Sequence, residues 1–406
     1  MADHYRRPDL VRRLNAMGDS VGGAQHLVPL NADGLLAAAV DAAGHDDFGD
    51  FDDGDWEPRF RHLVERLDTA ARLNTVGRLM TRQELLRGLG TRLNLVTAMD
   101  ADPTWAGEQV EAPVIVTGPA RSGTTILFEL LALDPAMRAP AAWEVLHPAG
   151  PGTAGDRLAW SEGEQELWAN VQPEFAAIHE LRSDLPVECV TVTIPSFAGT
   201  HWLMVADIPG WPGDTEANYR YERTLLRFLQ HGDRSATWLL KTPSHLMTLE
   251  QLFVVFPDAW VVQTHRDPVR TMPSTVSTTA MVKWLRSDDV DVAGTTAGIL
   301  AAFNWALGAV TQRRRDDPGA QFADVHFSDL VADPVDAIGR AYEQMGRAFS
   351  DAHAGAIADY VAAKPKGKFG THRYTPADYG LGAEGLRTDL ADYIEHFGVA
   401  LEEDPT

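Results

Sequence analysis

The sequence holds one cysteine in 406 residues, Cys189. No disulfide can form within the chain, and zinc sites built from several thiolates are excluded. Cys189 reads as a small buried residue. Basic residues are scarce: 35 Lys and Arg stand against 58 Asp and Glu, for a formal net charge of −23. A broad nucleic-acid-binding surface needs a basic field, so nucleic acid is not an expected partner. No uninterrupted run approaches the roughly 18 apolar residues of a membrane-spanning helix, and no transmembrane segment is expected. The opening Met1-Ala-Asp-His-Tyr-Arg-Arg leads into no apolar stretch and does not read as a secretory signal. A cytoplasmic protein is the expectation. With no H-E-x-x-H and no cluster of histidines, no metal is expected either.

What is present is an ordinary globular composition, 45% hydrophobic and 23% charged, in a chain long enough to bury a large core. Residues 1–110 read as a helical N-terminal extension. Phe60, Leu63, Leu67 and Ala71 recur at helical spacing, as do Leu85, Leu86, Leu89 and Leu93, and Leu35 to Ala43 is Ala-rich and apolar. The acidic stretch between Asp46 and Trp56 suggests a calcium loop, but its spacing fails. Counted from Asp50, the glycine comes one place early and the twelfth residue is Arg61 rather than Glu. A solvated loop with buried aromatics is expected there.

From Pro113 the register changes. Val114-Ile-Val-Thr117 is a short β-branched run, followed by glycines and then a helical pattern at Leu127, Leu130 and Leu131. Compact strands follow at Trp238–Leu240, Trp260–Thr264 and Asp324–Phe327, with helical segments such as Leu246–Phe256 between them. Strands alternating with helices predict an α/β fold over residues 111–406. Its centre is a P-loop-like parallel sheet flanked by helices, with the ligand beyond the C-terminal strand ends. Residues 150–235 are less regular, rich in Trp, His and Pro, and are expected to form a cap that binds an acceptor. Residues 364–382 are expected to be an ordered loop.

In an acidic chain an anionic ligand can bind only where cations and backbone donors are concentrated. Gly118-Pro-Ala-Arg-Ser-Gly-Thr-Thr125 is such a place. Glycines 118 and 123 allow tight turns, and amides at the head of the following helix can meet an anion, with Arg121, Ser122, Gly123, Thr124 and Thr125 as candidate ligands. The glycine spacing is that of the nucleotide-hydrolase loop G-x-x-x-x-G-K-[ST]. Thr124, however, stands where the lysine should be, which weakens a kinase or nucleotide-hydrolysing alternative. A second anion site is suggested by Val261-Val-Gln-Thr-His-Arg-Asp-Pro268. Arg266 at a strand end and Ser274 near an expected helix start at Pro273 can converge on one phosphate. His265-Arg-Asp267 is not a kinase catalytic loop, because Met272 replaces the required asparagine. The plainer alternative pairs Arg266 with Asp267 or another carboxylate.

The loop at 118–125 together with the eight-residue Arg266–Ser274 spacing resembles the sulfotransferases that use 3′-phosphoadenosine-5′-phosphosulfate (PAPS). The likeness is nearest to the bacterial branch that shares motifs with tyrosylprotein sulfotransferases, and it extends over most of residues 30–398. It implies that the loop holds the 5′-phosphosulfate and that Arg266 and Ser274 hold the 3′-phosphate. It also implies Glu144 as general base, 23 residues after Arg121, and Lys241 as the cation at the leaving phosphate. A glutamate starts near pKa ~4.3 and needs an apolar wall to become a base near neutrality; Trp143, Val145 and Leu146 are candidates for that wall. His245 is the alternative base or acceptor-orienting group. His179 and Glu188 resemble acceptor-pocket positions. Lys366-Gly-Lys-Phe-Gly-Thr-His-Arg373 resembles a basic loop that closes over the nucleotide, with Lys366, Lys368 and Arg373 as candidates for the 3′-phosphate.

The products would be a sulfate ester or sulfamate and adenosine 3′,5′-bisphosphate. Trp160, Trp168, Trp202 and Trp211 in the expected cap favour an apolar alcohol, phenol, steroid or glycolipid as the small-molecule acceptor. A homo-oligomer is compatible with the sequence but not specified by it. A non-catalytic nucleotide-binding module is the third reading, and retention of Glu144 and Lys241 speaks against it.

Overall fold

The computed structural model describes residues 5–52, 54–177, 180–319, 321–363 and 375–404. Two compact units interleave along the chain. The first takes residues 1–109, 140–233 and 279–291, and the second takes 110–139, 234–278 and 292–406. The helical N-terminal region and the expected cap therefore contribute to one unit, a grouping that local periodicity does not reveal.

The first unit is helical. Asn31 opens the helix Ala32–Ala43 by accepting from the Gly34 amide at 2.8 Å, and Asn74 opens Thr75–Ala101 the same way through Gly77. With Trp56–Thr69 these helices bury Phe60, Leu63, Leu67, Leu85, Leu89 and Leu93 in one core, as their spacing predicts. The acidic stretch keeps its aromatics inside, with Phe51 and Trp56 both buried. Its Asp52 is buried as well, held by Arg59 at 2.5 Å and Arg92 at 3.3 Å, so the stretch is less solvated than expected.

Residues 150–235 also prove more regular than expected, with helices at Ala154–Val171 and Thr215–Gln230. Thr153 and Asp156 close a capping box at the head of the former. Its apolar and charged residues are spread over several faces, which hides the helical period. Trp202 and Trp211 belong to the core of this unit rather than to a pocket.

The second unit is built on a five-stranded parallel sheet in the order β2-β3-β1-β4-β5. The strands are β1 (Val114–Thr117), β2 (Met137–Arg138), β3 (Thr237–Lys241), β4 (Trp260–His265) and β5 (Phe322–His326). Val114, Val116 and Val262 face one buried layer, with Leu127, Leu130, Leu131 and Ile338. Val261 faces the other, with Met272, Phe303 and Leu307. Helices on both faces explain why the strands read as short apolar runs rather than alternating ones.

Three expected boundaries shift. Phe327 leaves β5 and begins the helix Phe327–Ala332. The segment expected as one helix from Leu246 is a 3₁₀ turn at Pro243–Met247 and then a helix at Leu249–Val255. Thr248 stands at the break, its hydroxyl donating back to the Ser244 carbonyl at 3.3 Å. The helix carrying Ser274 begins at Pro268, not Pro273. It runs to Arg286 with Pro273 inside it, where the ring forfeits one amide donor without ending the helix.

Among the described residues one helix, Val292–Asp316, is long and apolar enough to span a bilayer by length and composition. No uninterrupted apolar run marks it, because Thr295, Thr296 and Asn304 interrupt the sequence. Its Phe303, Ala306, Leu307 and Val310 lie in the sheet core, and Arg314 forks onto Asp324 of β5 at 2.9 and 2.7 Å.

Candidate active site

β1 is central, with β3 on one side and β4 on the other. The chain leaves β1 toward β2 and later returns on the opposite side at β4. The crevice beyond the β1 and β4 ends is therefore the topological switch point where α/β sheets bind ligands. The loop after β1 and Arg266 after β4 both emerge there.

The loop geometry demands its glycines. Gly118 has φ +136°, and a Cβ there would lie 2.2 Å from Thr264 Oγ1 and 2.6 Å from the Thr264 carbonyl. Gly123 has φ +94° and caps the helix Thr124–Leu131 with its backbone packed on Phe327. Arg121 itself sits at φ +69°, a conformation that a non-glycine residue holds only when its surroundings fix it. The left-handed turn presents its carbonyl to Arg266 Nη1, which donates over 3.0 Å. The two segments proposed for separate phosphates are therefore joined by a direct hydrogen bond.

Ser122 is engaged within the protein. Its side chain is buried, its hydroxyl bonds the Pro119 carbonyl and the Thr264 hydroxyl, and its amide donates to Pro119 at 3.1 Å. Its amide closes a turn within the loop, and its hydroxyl, shared between Pro119 and Thr264, braces the loop against β4. Thr124 is buried in the first helical turn and Thr125 is exposed there. The amides of that turn have no intrahelical acceptors, as at any helix start.

The lysine missing from the loop is supplied from the next strand. Lys241 is the last residue of β3, in register with Val116 of β1, and is only 2% exposed. Its Nζ donates to Thr125 Oγ1 over 3.1 Å and lies 5.9 Å from the Phe128 ring centre. Four residues on, His245 is buried in the 3₁₀ turn Pro243–Met247. The Thr117 hydroxyl donates to the Thr242 carbonyl at 3.0 Å and ties the β1 exit to the β3 exit.

Arg266 is held on three sides. Glu402 accepts from its Nε at 2.7 Å and its Nη2 at 2.9 Å, Arg121 accepts from Nη1, and the Phe327 ring centre lies 3.8 Å from the guanidinium. Its carboxylate partner is Glu402 rather than the adjacent Asp267, which is buried and bonded to Arg387 at 2.8 Å. His265 is structural. Asp324 and Tyr393 flank its ring at 3.0 and 3.3 Å, Phe397 stacks on it, and burial holds its pKa below the usual histidine value. Ser274 is buried in the second turn of Pro268–Arg286.

Glu144 lies in the first unit, in the short helix Ala142–Leu146. Its carboxylate accepts from the Ala141 amide at 3.1 Å, the glutamate half of a capping box whose other half an alanine cannot supply. Val145 and Leu146 are buried beside it. This helix packs on Cys189–Val192, for which Glu188 is the N-cap. Three residues after Glu144, His147 lines a cleft of about 510 Å³ within the same unit, with Leu79, Leu86, Asn94 and Trp160. Of the four tryptophans expected in a pocket, Trp160 alone lines this cleft, and it is 45% exposed. Lys366, Lys368, Arg373 and His179 lie outside the described residues.

Sequence reasoning missed Thr264, Phe327, Asp267, Arg387 and Glu402 as parts of this site. Thr264 was open to inference, since it immediately precedes His265-Arg266 at the end of a strand beside the loop. Glu402 carries no local signal.

A family model described as "Sulfotransferase family" matches residues 113–351, more than half of the chain. Two curated relatives, from Mycobacterium bovis and Mycobacterium tuberculosis, are named omega-hydroxy-beta-dihydromenaquinone-9 sulfotransferase. Each is 23% identical over 267 residues, covering 62% of this chain and 67% of the relative. Among solved structures, the sulfotransferase STF1 of Mycobacterium tuberculosis superimposes with a TM-score of 0.72 at 28% identity, covering 88% of this chain and 98% of that one. The sulfotransferase STF9 of Mycobacterium avium has the same fold, with a TM-score of 0.78 at 24% identity, over 92% of this chain and 98% of that one.

Proposed function

The chain belongs to the sulfotransferase family, and from that premise we propose that it moves a sulfuryl group from PAPS to a hydroxyl or amine of a small, lipophilic acceptor. One observation carries the choice of donor. Two cationic side chains, Lys241 at 3.1 Å from the first turn of the loop helix and Arg266 at 3.0 Å from the loop backbone, come from the C-terminal ends of the two strands that flank β1. A nucleotide phosphorylated at both its 5′ and 3′ positions would use both. The crowding that excludes a Cβ at Gly118 suits a loop that a ligand approaches closely.

In this reading PAPS supplies the sulfuryl group, and adenosine 3′,5′-bisphosphate is released. Glu144 accepts the acceptor proton as the new S–O bond, or S–N bond for an amine, forms. Lys241 and Arg121, with the amides at the head of Thr124–Leu131, balance the charge that develops as the sulfur–oxygen bond to the 5′-phosphate breaks. Arg266 and Ser274 hold the 3′-phosphate, with Lys366, Lys368 and Arg373 as further candidates. His245 is the second candidate base, favoured by its position four residues after Lys241 in the same unit. The relatives named for a hydroxylated dihydromenaquinone support a lipophilic acceptor.

Thermal stability with added nucleotide tests the reading. Adenosine 3′,5′-bisphosphate raises the melting temperature with concentration, magnesium-ATP raises it less, and Arg266→Ala removes the difference. Strong stabilisation by magnesium-ATP with none by the bisphosphate sinks it.

A further inference from the structure

Glu402 follows the helix Ala391–Phe397 in the second unit. Its carboxylate takes the Nε–Nη2 edge of Arg266 with both oxygens, at 2.7 and 2.9 Å. Arg270 Nε stands 3.7 Å from the same carboxylate. Arg270 precedes Ser274 by four residues in Pro268–Arg286, so the two share a helix face. An acidic group of the chain thus takes up the fork of Arg266 and approaches Arg270, on the helix that also carries Ser274.

Resting on the proposed function, we infer that Glu402 is an internal occupant of the 3′-phosphate site. Its carboxylate holds Arg266 until the 3′-phosphate displaces it, and so sets how much that phosphate contributes to nucleotide binding.

Carboxylate and phosphate accept the same fork of a guanidinium, and one Nε–Nη2 edge cannot serve both. The phosphate wins on charge. A phosphate monoester carries nearly two negative charges against one, and two arginines face it. The carboxylate competes well because it is tethered, and so acts at high effective concentration. The exchange needs only a side-chain rotation. The Glu402 amide donates to Asp267 Oδ2 at 2.8 Å, and its carbonyl accepts from Arg387 Nη2 at 2.6 Å, which pins the main chain independently. The Glu402 side chain is 30% exposed, so it has solvent to rotate into. Arg266 stays placed by Arg121 and Phe327 after the carboxylate leaves.

The test measures dissociation constants by calorimetry for adenosine 3′,5′-bisphosphate and adenosine 5′-monophosphate, with wild type, Glu402→Ala and Glu402→Gln. Glu402→Ala is expected to bind the bisphosphate about tenfold more tightly, the scale of one charge-assisted pair, with the monophosphate unchanged. Glu402→Gln falls between, since its amide oxygen still accepts from Arg266. Unchanged or weaker bisphosphate binding in both variants overturns the inference, the weaker result assigning Glu402 to orienting Arg266. If wild type prefers the bisphosphate and the variants do not change that preference, only this inference fails. If no form prefers the bisphosphate, the assignment of the 3′-phosphate site fails with it.

Discussion

The ammonium of Lys241, at the end of β3, donates to the hydroxyl of Thr125 in the first turn of the helix after the phosphate loop, over 3.1 Å. A nucleotide-hydrolase loop carries its lysine inside the loop; here Thr124 fills that position and the neighbouring strand delivers the charge. The register Val116↔Lys241 fixes how far the side chain must reach.

Lys241→Met is therefore expected to lower kcat by about 10²–10³, the usual effect of losing one preorganised donor to developing negative charge. The bisphosphate should still raise the melting temperature, because the loop backbone and Arg266 remain. Steady-state kinetics and a thermal shift measured on one preparation decide it. An unchanged kcat removes Lys241 from the reaction.

Gly118→Ala should cost about 1–3 kcal/mol of stability, the range for forcing a side chain into a disfavoured backbone conformation. The added methyl meets the Thr264 hydroxyl and carbonyl, so β1 and β4 must separate or the loop must move. Either change disturbs the Ser122–Thr264 brace. Urea unfolding gives the stability loss, and the bisphosphate-induced melting shift should fall along with it. A variant as stable as wild type contradicts the packing described here.

Much of the frame of this site was legible in the sequence. The β-branched run 114–117 followed by glycines gave a strand, a tight loop and a helix, because that order of residue types leaves few alternatives. Arg266 at a strand end was equally readable. What remained hidden depended on distance along the chain. Glu402 reaches Arg266 across 136 residues, and Asp52 is buried by Arg59 and Arg92 in a stretch that reads as solvated. The contact of Ser122 was hidden in the same way: its hydroxyl reads as an anion donor, and only the fold shows that β4 brings Thr264 within hydrogen-bonding distance of it. The interleaving of two units is also invisible to local periodicity, since each helix records only which of its faces is buried.

Glu144→Gln separates catalysis from helix capping. The glutamine carbonyl can still accept from the Ala141 amide, so the short helix Ala142–Leu146 keeps its cap while the base is lost. With Glu144 as general base, kcat should fall about 10²–10⁴ with bisphosphate affinity unchanged. His245→Asn is the matched control. If it lowers kcat by that amount and Glu144→Gln does not, His245 takes the role.

Glu222 gives a stability prediction with a definite sign in pH. It lies in the helix Thr215–Gln230 of the first unit, fully buried with neither carboxyl oxygen hydrogen-bonded, and desolvation pushes its pKa up to about 7. Below pH ~4.5 the carboxyl is protonated in both the folded and the unfolded chain, and its contribution is complete. Between there and pH 7 the unfolded chain releases the proton while the folded one keeps it, so stability falls as pH rises. Above pH 7 the folded carboxyl ionises too and the loss levels off, at about 3 kcal/mol for this single group. Glu222→Gln removes the titration and nearly conserves the side chain's volume. Urea unfolding should find the variant more stable than wild type at pH 8, by about 1–3 kcal/mol, with most of that advantage gone at pH 5. An equal difference at both pH values would mean that Glu222 does not hold its proton in the folded state.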